Sequence, residues 1–296
     1  MADKPGGTAK TAAAGVRRPG RVGLVSNLTM EAAIEACQRA LPALEAEGAE
    51  VVLEEHLARR LGREGGAPQS AMEVDVLVVS GGDGTILNAL HQTSAPVLAI
   101  NTGSVGFLAE LAASEVEQGM HRLVTGEWTL EERMRIKSVV NGHRSLDAMN
   151  EVVVHTAVVS KMMTMELRID GEFVDRIRAD GLIVATPTGS TSYAMSTGGP
   201  IVDPRLRAMV LSPLAPFNLH SRPMVVPSSS MVEVSATEER YPGLAVIDGQ
   251  HEIHFRTRTI VELTESESPA RFVRMGGTFY ERLRQKFISV YPGEGA

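Results

Sequence analysis

Val74-Asp-Val-Leu-Val-Val-Ser80 is followed by Gly81-Gly82-Asp83-Gly84-Thr85 and then by Ile86-Leu-Asn-Ala-Leu-His-Gln92. A short apolar run rich in valine is typical of a strand that is buried on both faces of a parallel sheet. The three glycines let the backbone turn where side chains would clash, and Thr85 opens a run with helical composition. The stretch therefore predicts a strand, a tight loop and a helix, whose N-terminus presents unpaired N–H groups to an anion such as phosphate.

Asp83 is the unusual residue of this loop, because a carboxylate repels phosphate at contact distance. It can bind a cation, accept a proton from a group that attacks phosphate, or cap the helix. The first two roles indicate phosphoryl chemistry, whereas the third is purely structural. The P-loop pattern and the dinucleotide fingerprint G-x-G-x-x-G are both absent.

The composition of the chain limits the kinds of partner that it can bind. Its 296 residues carry a formal net charge of −7 and a single cysteine, Cys37. The acidic balance argues against nucleic acid as a partner, and a lone cysteine excludes intrachain disulfides and Cys-based zinc clusters. No apolar run reaches the ~18 residues of a membrane span. We expect a cytoplasmic protein that binds small molecules, with a disordered tail over residues 1–20.

Buried strands alternate with helical segments in the first part of the chain, residues 21–130. Strands are predicted at 22–25, 50–53, 74–79 and 96–100, and a helix at 29–47 that Pro42 is expected to kink or split. This order predicts an α/β, Rossmann-like domain with a parallel sheet. The loops that contain Gly81 and Gly103 both follow strands, so we expect them to line one crevice at the carboxyl ends of the strands.

The pattern changes near Trp128 to a period of two residues, with turns at Asn141-Gly142, Asp170-Gly171 and Asp248-Gly249. Residues 131–269 are therefore predicted to form a C-terminal, mostly antiparallel β domain. Residues 270–296 follow, and 279–287 read as an amphipathic helix that returns to the first domain. His251 and His254 lie three apart on a strand and face opposite sides, which favours a solvated strand over a metal site.

Two stretches of the second domain carry candidate ligand-binding residues. Asn150-Glu151 opens an apolar strand, and a hydroxyl-rich turn at 186–197 surrounds Tyr193 and follows the strand at 180–185. An isolated Asn-Glu pair is also consistent with a polar strand entrance, and a Ser/Thr/Gly run with a flexible linker. Hydroxyls beside one aromatic ring suit a nucleotide, because the ring stacks on the base while hydroxyls bond its edge and ribose.

Together these motifs resemble the NAD kinase family. The matching residues are Gly81-Gly82-Asp83-Gly84-Thr85, Asn101-x-Gly103-x-x-Gly106-Phe107-Leu108, Asn150-Glu151, Asp180-Gly181-Leu182-Ile183, Thr186-Pro187-Thr188-Gly189-Ser190-Thr191 and Gly198-Gly199-Pro200. The Gly-Gly-Asp-Gly loop is shared with phosphofructokinases and lipid kinases, whereas the Thr-Pro-Thr-Gly-Ser-Thr run with Asn-Glu upstream is highly specific. The sequence around Lys161 and Pro213 looks closer to archaeal members.

The resemblance implies transfer of the γ-phosphoryl group of ATP, with a divalent metal such as Mg²⁺, to the 2′-hydroxyl of the adenosine ribose of NAD. The products are NADP and ADP, and the family tends toward homodimers and homotetramers. Asp83 matches the family's catalytic Asp, which takes the proton of the ribose hydroxyl. Phosphate binding falls to Gly81, Gly82, Gly84 and Thr85. Residues implied to contact the dinucleotide are Asn150, Glu151, Lys161, Arg178, Asp180, Thr191, Ser192, Tyr193, Ala194, Met195, Ser196 and, more weakly, Gln250.

Two positions depart from the family pattern. Asn88 stands where many relatives have a basic residue that reaches phosphate, and Ser192 stands where alanine is common. Two other functions are open to a chain with these residues. A kinase with the same loop can act on a lipid or sugar phosphate, although a lipid would need a broad apolar pocket. A non-catalytic dinucleotide sensor would leave Asp83 without a role.

Overall fold

The computed structural model describes residues 18–103, 106–237, 241–256 and 258–288. The predicted tail at 1–20 therefore lies outside the described residues as far as residue 17. The chain divides into two compact units. Unit 1 contains Met1–Glu132 and Arg271–Ala296, and unit 2 contains Arg133–Ala270.

The described residues form α-helices and strands that we label in chain order. The helices are α1 (Glu31–Ala46), α2 (Glu55–Arg60), α3 (Asp83–Gln92), α4 (Val116–Thr125), α5 (Tyr193–Ser196) and α6 (Phe279–Ile288). Short 3₁₀ helices lie at Gln69–Ala71, Ala113–Glu115 and Gly189–Thr191. A search of these described segments finds no helix with the length and apolar character needed to cross a bilayer.

The strands are β1 (Arg21–Ser26), β2 (Glu50–Leu53), β3 (Val76–Gly81), β4 (Val97–Asn101), β5 (Leu111–Ala112), β6 (Thr129–Arg133), β7 (Ile136–Val140), β8 (His143–Arg144), β9 (Glu151–Thr156), β10 (Met163–Ile169), β11 (Glu172–Ala179), β12 (Gly181–Ala185), β13 (Ala208–Leu214), β14 (Met224–Pro227), β15 (Val232–Ala236), β16 (Gly243–Ile247), β17 (His251–Phe255), β18 (Ile260–Glu265) and β19 (Ala270–Arg274).

Unit 1 is built on a sheet in the order β2-β1-β3-β4-β19-β6, with β5 paired to β4. Strands β1, β2, β3 and β4 pair in parallel, which confirms the predicted sheet. Strand β3 is buried at every position, because helices such as α1 and α3 pack against it. Strand β19 was not among the predicted strands; it enters this sheet beside β4 with Phe272 opposite Val97.

Pro42 was expected to kink or split the helix; α1 runs without interruption through it, so the split is wrong. Proline removes the hydrogen bond to the carbonyl four residues earlier, that of Gln38. Both residues are exposed, so water can satisfy the freed carbonyl. Burial of Ile34, Cys37 and Leu44 on the opposite face holds the helix together.

Helix α6 belongs to unit 1, which confirms that the last helix returns to the first domain. Thr278 and Glu281 form a capping box, in which the Glu281 N–H donates to Thr278 Oγ1 (3.1 Å) and the Thr278 N–H to Glu281 Oε2 (2.6 Å). The ring of Phe279 lies 6.4 Å from that of Phe107. Helix α6 therefore packs next to the segment that follows β4.

Unit 2 contains two antiparallel sheets, ordered β11-β10-β15-β18-β7-β8 and β14-β13-β12-β9-β16-β17. One apolar core combines residues of both, including Met165 and Val234 from the first and Val154 and Leu182 from the second. The three predicted Asx-Gly turns are confirmed: each joins two paired strands, with positive φ at both turn residues. His251 and His254 alternate between half-buried and exposed positions on β17, as predicted for a solvated strand.

Candidate active site

In unit 1 the Gly-rich loop connects β3 to α3. Only glycine fits at position 81, because a Cβ there would lie 2.6 Å from Thr85 Oγ1. Gly82 occupies the N-cap position and Asp83 is the first helical residue, so Asp83 is not the cap that the structural alternative required. The Thr85 N–H donates to the Gly82 carbonyl (2.9 Å), so that N–H already has an acceptor within the first turn. The Thr85 N–H is therefore not one of the unpaired N–H groups that a helix N-terminus offers to an anion.

The Asp83 carboxylate connects the two glycine loops. Its Oδ2 accepts from the Phe107 N–H (3.0 Å) and its Oδ1 from the Leu108 N–H (3.3 Å). Gly81 and Asn101 are paired at the ends of β3 and β4, which brings the loops side by side as the sequence predicted. A Cβ on Gly106 would lie 2.1 Å from Asp83 Oδ1, so only glycine lets the backbone approach this carboxylate. Asp83 remains half-exposed, and each carboxylate oxygen has a second lone pair for a further donor.

Asn88 is exposed on α3, where its Oδ1 accepts from Gln92 Nε2 (3.1 Å). Another element of unit 1 places a cation beside the two loops. Lys286 Nζ of α6 lies 4.2 Å from the ring centroid of Phe107. The main chain of the same Phe107 holds Asp83. A positive charge therefore reaches this part of unit 1 from α6 rather than from α3.

In unit 2 the Asn150-Glu151 pair opens β9 and packs tightly against the 186–191 turn. The Asn150 carbonyl accepts from the Thr186 N–H (2.8 Å), and the Thr186 hydroxyl donates to the Met149 carbonyl (2.7 Å). A Cβ on Gly189 would lie 2.1 Å from the Asn150 carbonyl oxygen. The Thr-Pro-Thr-Gly turn is thus shaped to lie on the main chain of the pair, not to serve as a linker.

Asp248 holds the same three-residue segment from the other side. Its Oδ2 accepts from the Met149 N–H (2.8 Å), and its Oδ1 accepts from the N–H groups of Asn150 (2.7 Å) and Glu151 (3.1 Å). The Asp248 N–H donates to the Glu151 carbonyl (2.9 Å). The sequence identifies Asp248 as a turn residue and, through Asp248-Gly249-Gln250, as part of the family resemblance. It does not reveal these bonds, which connect positions about one hundred residues apart.

Glu151 is a buried acid, 5% exposed. Burial raises the pKa of its carboxyl to about 8; the nearby negative charge of Asp248 adds to this rise, and a hydrogen bond with Ser192 opposes it. Among the described residues, Glu151 Oε2 has no hydrogen-bond partner and no access to solvent. Buried polar atoms without a partner are rare in folded proteins, so a donor from a ligand or a water molecule would satisfy this oxygen.

The structure divides the hydroxyl-rich segment into two kinds of residue. Thr186, Ser190 and Thr191 are buried and donate their hydroxyl protons to nearby carbonyls, so these hydroxyls build the turn. Of these three, Thr191 belongs to the predicted ligand-binding set, and its role in binding stays a prediction. Ala194 packs in a small core with Val153 and Ile183. The exposed or half-exposed members of the predicted set are Ser192, Tyr193, Met195 and Ser196.

The other predicted residues of unit 2 lie in different places. Asp180 precedes β12, whose Gly181 pairs with His155, whereas Ala185 pairs with Glu151. Four residue steps along β9 thus separate the Gly181 end from the Glu151 end, about 14 Å at ~3.4 Å per step. Lys161 and Arg178 are exposed, and the Arg178 guanidinium lies 4.9 Å from the Phe217 ring. Gln250 is exposed in the turn after Asp248.

One group of residues in the described part of the chain has the arrangement of metal ligands, Glu54, Glu55 and His56. Glu54 Oε2 caps α2 by accepting from the N–H groups of His56 and Leu57. Glu55 pairs with Arg59 at 3.1 Å. These groups are explained by helix capping and ion pairing, and they lie apart from the Gly-rich loop in sequence and on a different helix.

Comparisons with known proteins match both units. The family described as ATP-NAD kinase N-terminal domain matches residues 22–128, and the family described as ATP-NAD kinase C-terminal domain matches residues 149–275. An NAD kinase of Thermococcus kodakarensis is 38% identical over 275 residues, which cover 91% of this chain and 99% of the relative. One from Thermoplasma volcanium is 41% identical over 226 residues, covering 76% of this chain and 83% of the relative.

Two solved structures are also similar. An NAD kinase from Archaeoglobus fulgidus, crystallised in complex with ATP, is 32% identical with a TM-score of 0.71, covering 91% of this chain and 97% of that one. Yeast NADH kinase complexed with NADH has a TM-score of 0.85 at 23% identity, covering 94% of this chain and 90% of that one. At 23% identity, the similarity to yeast NADH kinase shows the fold alone.

Proposed function

The chain belongs to the ATP-NAD kinase family, and we propose that it phosphorylates NAD at the 2′-hydroxyl of the adenosine ribose, with ATP as the donor. The enzyme is a phosphotransferase, and its products are NADP and ADP. The observation that carries the acceptor assignment is the buried Glu151, whose Oε2 has no hydrogen-bond partner among the described residues. A ribose presents hydroxyl donors that satisfy such an oxygen.

Binding of the adenosine half falls to the residues around Glu151. Glu151 accepts from ribose hydroxyls, Asn150 contacts the adenine side, and the ring of Tyr193 lies against the base. The 42% exposure of Tyr193 supports this role, because an exposed ring is free to stack. The Asp180 carbonyl accepts from the Thr156 N–H, five residue steps along β9 from Glu151, about 17 Å at ~3.4 Å per step. A single ribose therefore cannot contact both residues, and a dinucleotide that meets both must extend along the strand.

Asp83 accepts the proton of the attacking 2′-hydroxyl. A ribose hydroxyl is a poor nucleophile at neutral pH, and a positioned carboxylate makes its oxygen reactive as the phosphoryl group is transferred. Support comes from the two N–H groups that fix the carboxylate and from its half-exposed position at the start of α3. Catalysis otherwise consists of in-line positioning and neutralisation of phosphate charge.

The charge of the ATP phosphates is met by the first turn of α3 and by Lys286 of α6, in place of a basic residue at position 88. Supporting this is the contact of Lys286 with the ring of Phe107, whose N–H binds Asp83. Mg²⁺ bound with the donor would neutralise phosphate charge. It would be held mainly by the ATP phosphates and by water, which leaves the Asp83 carboxylate available as the proton acceptor. Assembly as a homodimer or homotetramer and a cytoplasmic location remain predictions.

The function is tested by incubating the protein with ATP, NAD and Mg²⁺ and detecting NADP with an NADP-specific dehydrogenase. We expect NADP to accumulate with time and with enzyme concentration. NAD binding without turnover would indicate a dinucleotide sensor. Phosphorylation of a lipid or sugar phosphate in parallel assays, with none of NAD, would indicate a kinase that shares only the loop. Parallel reactions with polyphosphate and with NADH define the donor and the acceptor.

A further inference from the structure

We propose that Asp248 is a positioning residue for dinucleotide binding, which fixes the main chain of Met149, Asn150 and Glu151 so that the Asn150 and Glu151 side chains are held ready for the ligand. This inference rests on the proposed function, because it concerns the same site. Asp248 does not itself need to touch the dinucleotide. It acts through the segment at 149–151, whose side chains contact the dinucleotide.

The hydrogen bonds of Asp248 support this role directly. One carboxylate accepts three successive main-chain N–H groups, at 2.8, 2.7 and 3.1 Å. Bonds to an ionised acceptor are about twice as strong as those between neutral groups. Asp248 is 6% exposed, so water does not compete for these donors. Three consecutive N–H groups that point at one carboxylate leave the segment little freedom to rotate.

The turn geometry holds Asp248 in place. Its φ is +49°, a left-handed conformation that asparagine and aspartate tolerate better than other residues with side chains, and Gly249 follows with φ +67°. The Asp248 N–H also bonds the Glu151 carbonyl, so side chain and main chain both act on the same segment. On the other side of this segment, the Thr186 hydroxyl donates to the Met149 carbonyl and the Thr186 N–H donates to the Asn150 carbonyl. The pair is thereby held on its N–H side by Asp248 and on its carbonyl side by Thr186.

Asp248 also affects the charge of the site. Its negative charge contributes to the raised pKa of Glu151, after burial. Other charged groups nearby include the buried Arg133, which donates to Thr188 Oγ1 (3.2 Å) in the neighbouring turn. They also include Arg135, whose guanidinium interacts with the charges of Asp147, Asp248 and Arg144 and whose pKa is lowered by burial. Removal of the Asp248 charge is therefore expected to let Glu151 ionise at lower pH.

Asp170 offers a matched control. It also begins an Asp-Gly turn with a left-handed φ, +53°, and its Oδ1 accepts a main-chain N–H from a neighbouring segment, that of Met231 at 2.8 Å. It is exposed and none of the candidate ligand-binding residues is bonded to its side chain in the described structure. Substitution of Asp170 thus reproduces the local change without disturbing the Asn150-Glu151 segment.

The test compares Asp248→Asn with Asp170→Asn in the full-length protein. Asparagine keeps the shape and the left-handed preference but places an NH₂ group where one carboxylate oxygen accepted. For Asp248→Asn we expect the Kd of NAD, measured by calorimetry, to rise roughly tenfold or more, as for loss of a charged hydrogen bond. The KM of ATP should stay within about twofold, and the pH at which NAD affinity changes should shift downward. Asp170→Asn should retain wild-type NAD affinity and pH dependence.

A purely structural role for Asp248 predicts another outcome, namely lower thermal stability with unchanged NAD affinity and pH dependence in the folded protein; this result would overturn the proposal. If Asp248→Asn does not fold, hydrogen–deuterium exchange of the wild type decides: the N–H groups of Met149, Asn150 and Glu151 should be protected before NAD is added. Protection only after NAD is added would also overturn it. Failure of the wild type to bind NAD would instead refute the proposed function.

Discussion

Asp83 in unit 1 and Asp248 in unit 2 use the same chemical device in two different surroundings. Each carboxylate accepts main-chain N–H groups from a segment distant in sequence, two for Asp83 and three for Asp248. Asp83 is half-exposed at the start of a helix, whereas Asp248 is buried in a hairpin turn. The exposed carboxylate is fixed in direction yet keeps capacity for a substrate proton. The buried one has its oxygens directed at the protein, so we assign it to building the site.

Gly106→Ala tests whether turnover depends on the close approach of the Gly106 loop to Asp83. A Cβ at position 106 would lie 2.1 Å from Asp83 Oδ1 and 2.7 Å from its Cγ, so the carboxylate and its loop must separate. We expect kcat to fall at least tenfold, because a shift of about 1 Å at a reacting group can cost up to a hundredfold. Steady-state NADP formation measures the effect.

Gly103→Ala in the same loop is the control for that variant, since its Cβ would meet only the terminal methyl of Met30 at 3.4 Å. Its kcat should stay within about twofold of the wild type by the same measurement, because no contact with Asp83 changes. Equal kcat values for the two variants would show that the anchoring of Asp83 does not matter for turnover.

The pH dependence of NAD binding tests the buried site in unit 2, where the charge of Asp248 contributes to the raised pKa of Glu151. If ribose hydroxyls donate to ionised Glu151, NAD binding favours the carboxylate and lowers its pKa from about 8. NAD affinity should therefore increase from pH 6 to pH 8 by roughly tenfold and then level off. Calorimetric titrations at several pH values measure the profile. In Glu151→Gln the affinity should be weaker and independent of pH over this range, and a persistent slope would assign the titration to another group.

Lys286→Ala examines how unit 1 meets the charge of the donor. Loss of this cation should raise the KM of ATP by about twofold to fivefold, the size of a partly exposed charge interaction, and leave the Kd of NAD unchanged. Lys286→Arg should recover most of the loss, since it restores the positive charge. Initial rates at varied ATP concentration, at low and high salt, provide the measurement. A KM of ATP that does not change in Lys286→Ala would remove Lys286 from the donor site.

The stability of the free protein tests the raised pKa of Glu151 without a ligand. Glu151 has a pKa of about 8 in the folded protein against an ordinary value of 4.5, so the folded chain holds a proton that the unfolded chain releases between these values. Stability therefore falls as pH rises from about 4.5 to about 8. Glu151→Gln removes this cost and should be more stable than the wild type at pH 9 by about 1 to 3 kcal/mol. Urea unfolding at pH 6 and pH 9 measures the difference, which should be smaller at pH 6.

Local signals explain most of what the sequence predicted. The valine-rich run before Gly81, the three Asx-Gly turns and the alternation in unit 2 each depend on a few adjacent residues, and all of them appear in the structure. Strand β19 is different, because Ala270–Arg274 becomes a strand of unit 1 only by pairing with β4, far earlier in the chain. No local pattern carries that information.

The candidate site shows the same division. The Gly-rich loop and the Asn150-Glu151 pair could be found from residue type and spacing. The three bonds of Asp248 could not, since they depend on how β16 and β9 are paired. The bonds of the Thr186, Ser190 and Thr191 hydroxyls could not be predicted for a related reason, because residue type does not show that the folded chain buries them against nearby carbonyls.

The central claim, that the exposed carboxylate reacts while the buried one builds the site, is tested most directly by Asp83→Asn. The amide keeps the size of the side chain but cannot take the proton of the ribose hydroxyl. We predict that kcat for NADP formation falls at least ~10²-fold, while the Kd of NAD measured by calorimetry stays within about twofold. Unchanged turnover in Asp83→Asn, or a loss confined to NAD affinity, would contradict the claim.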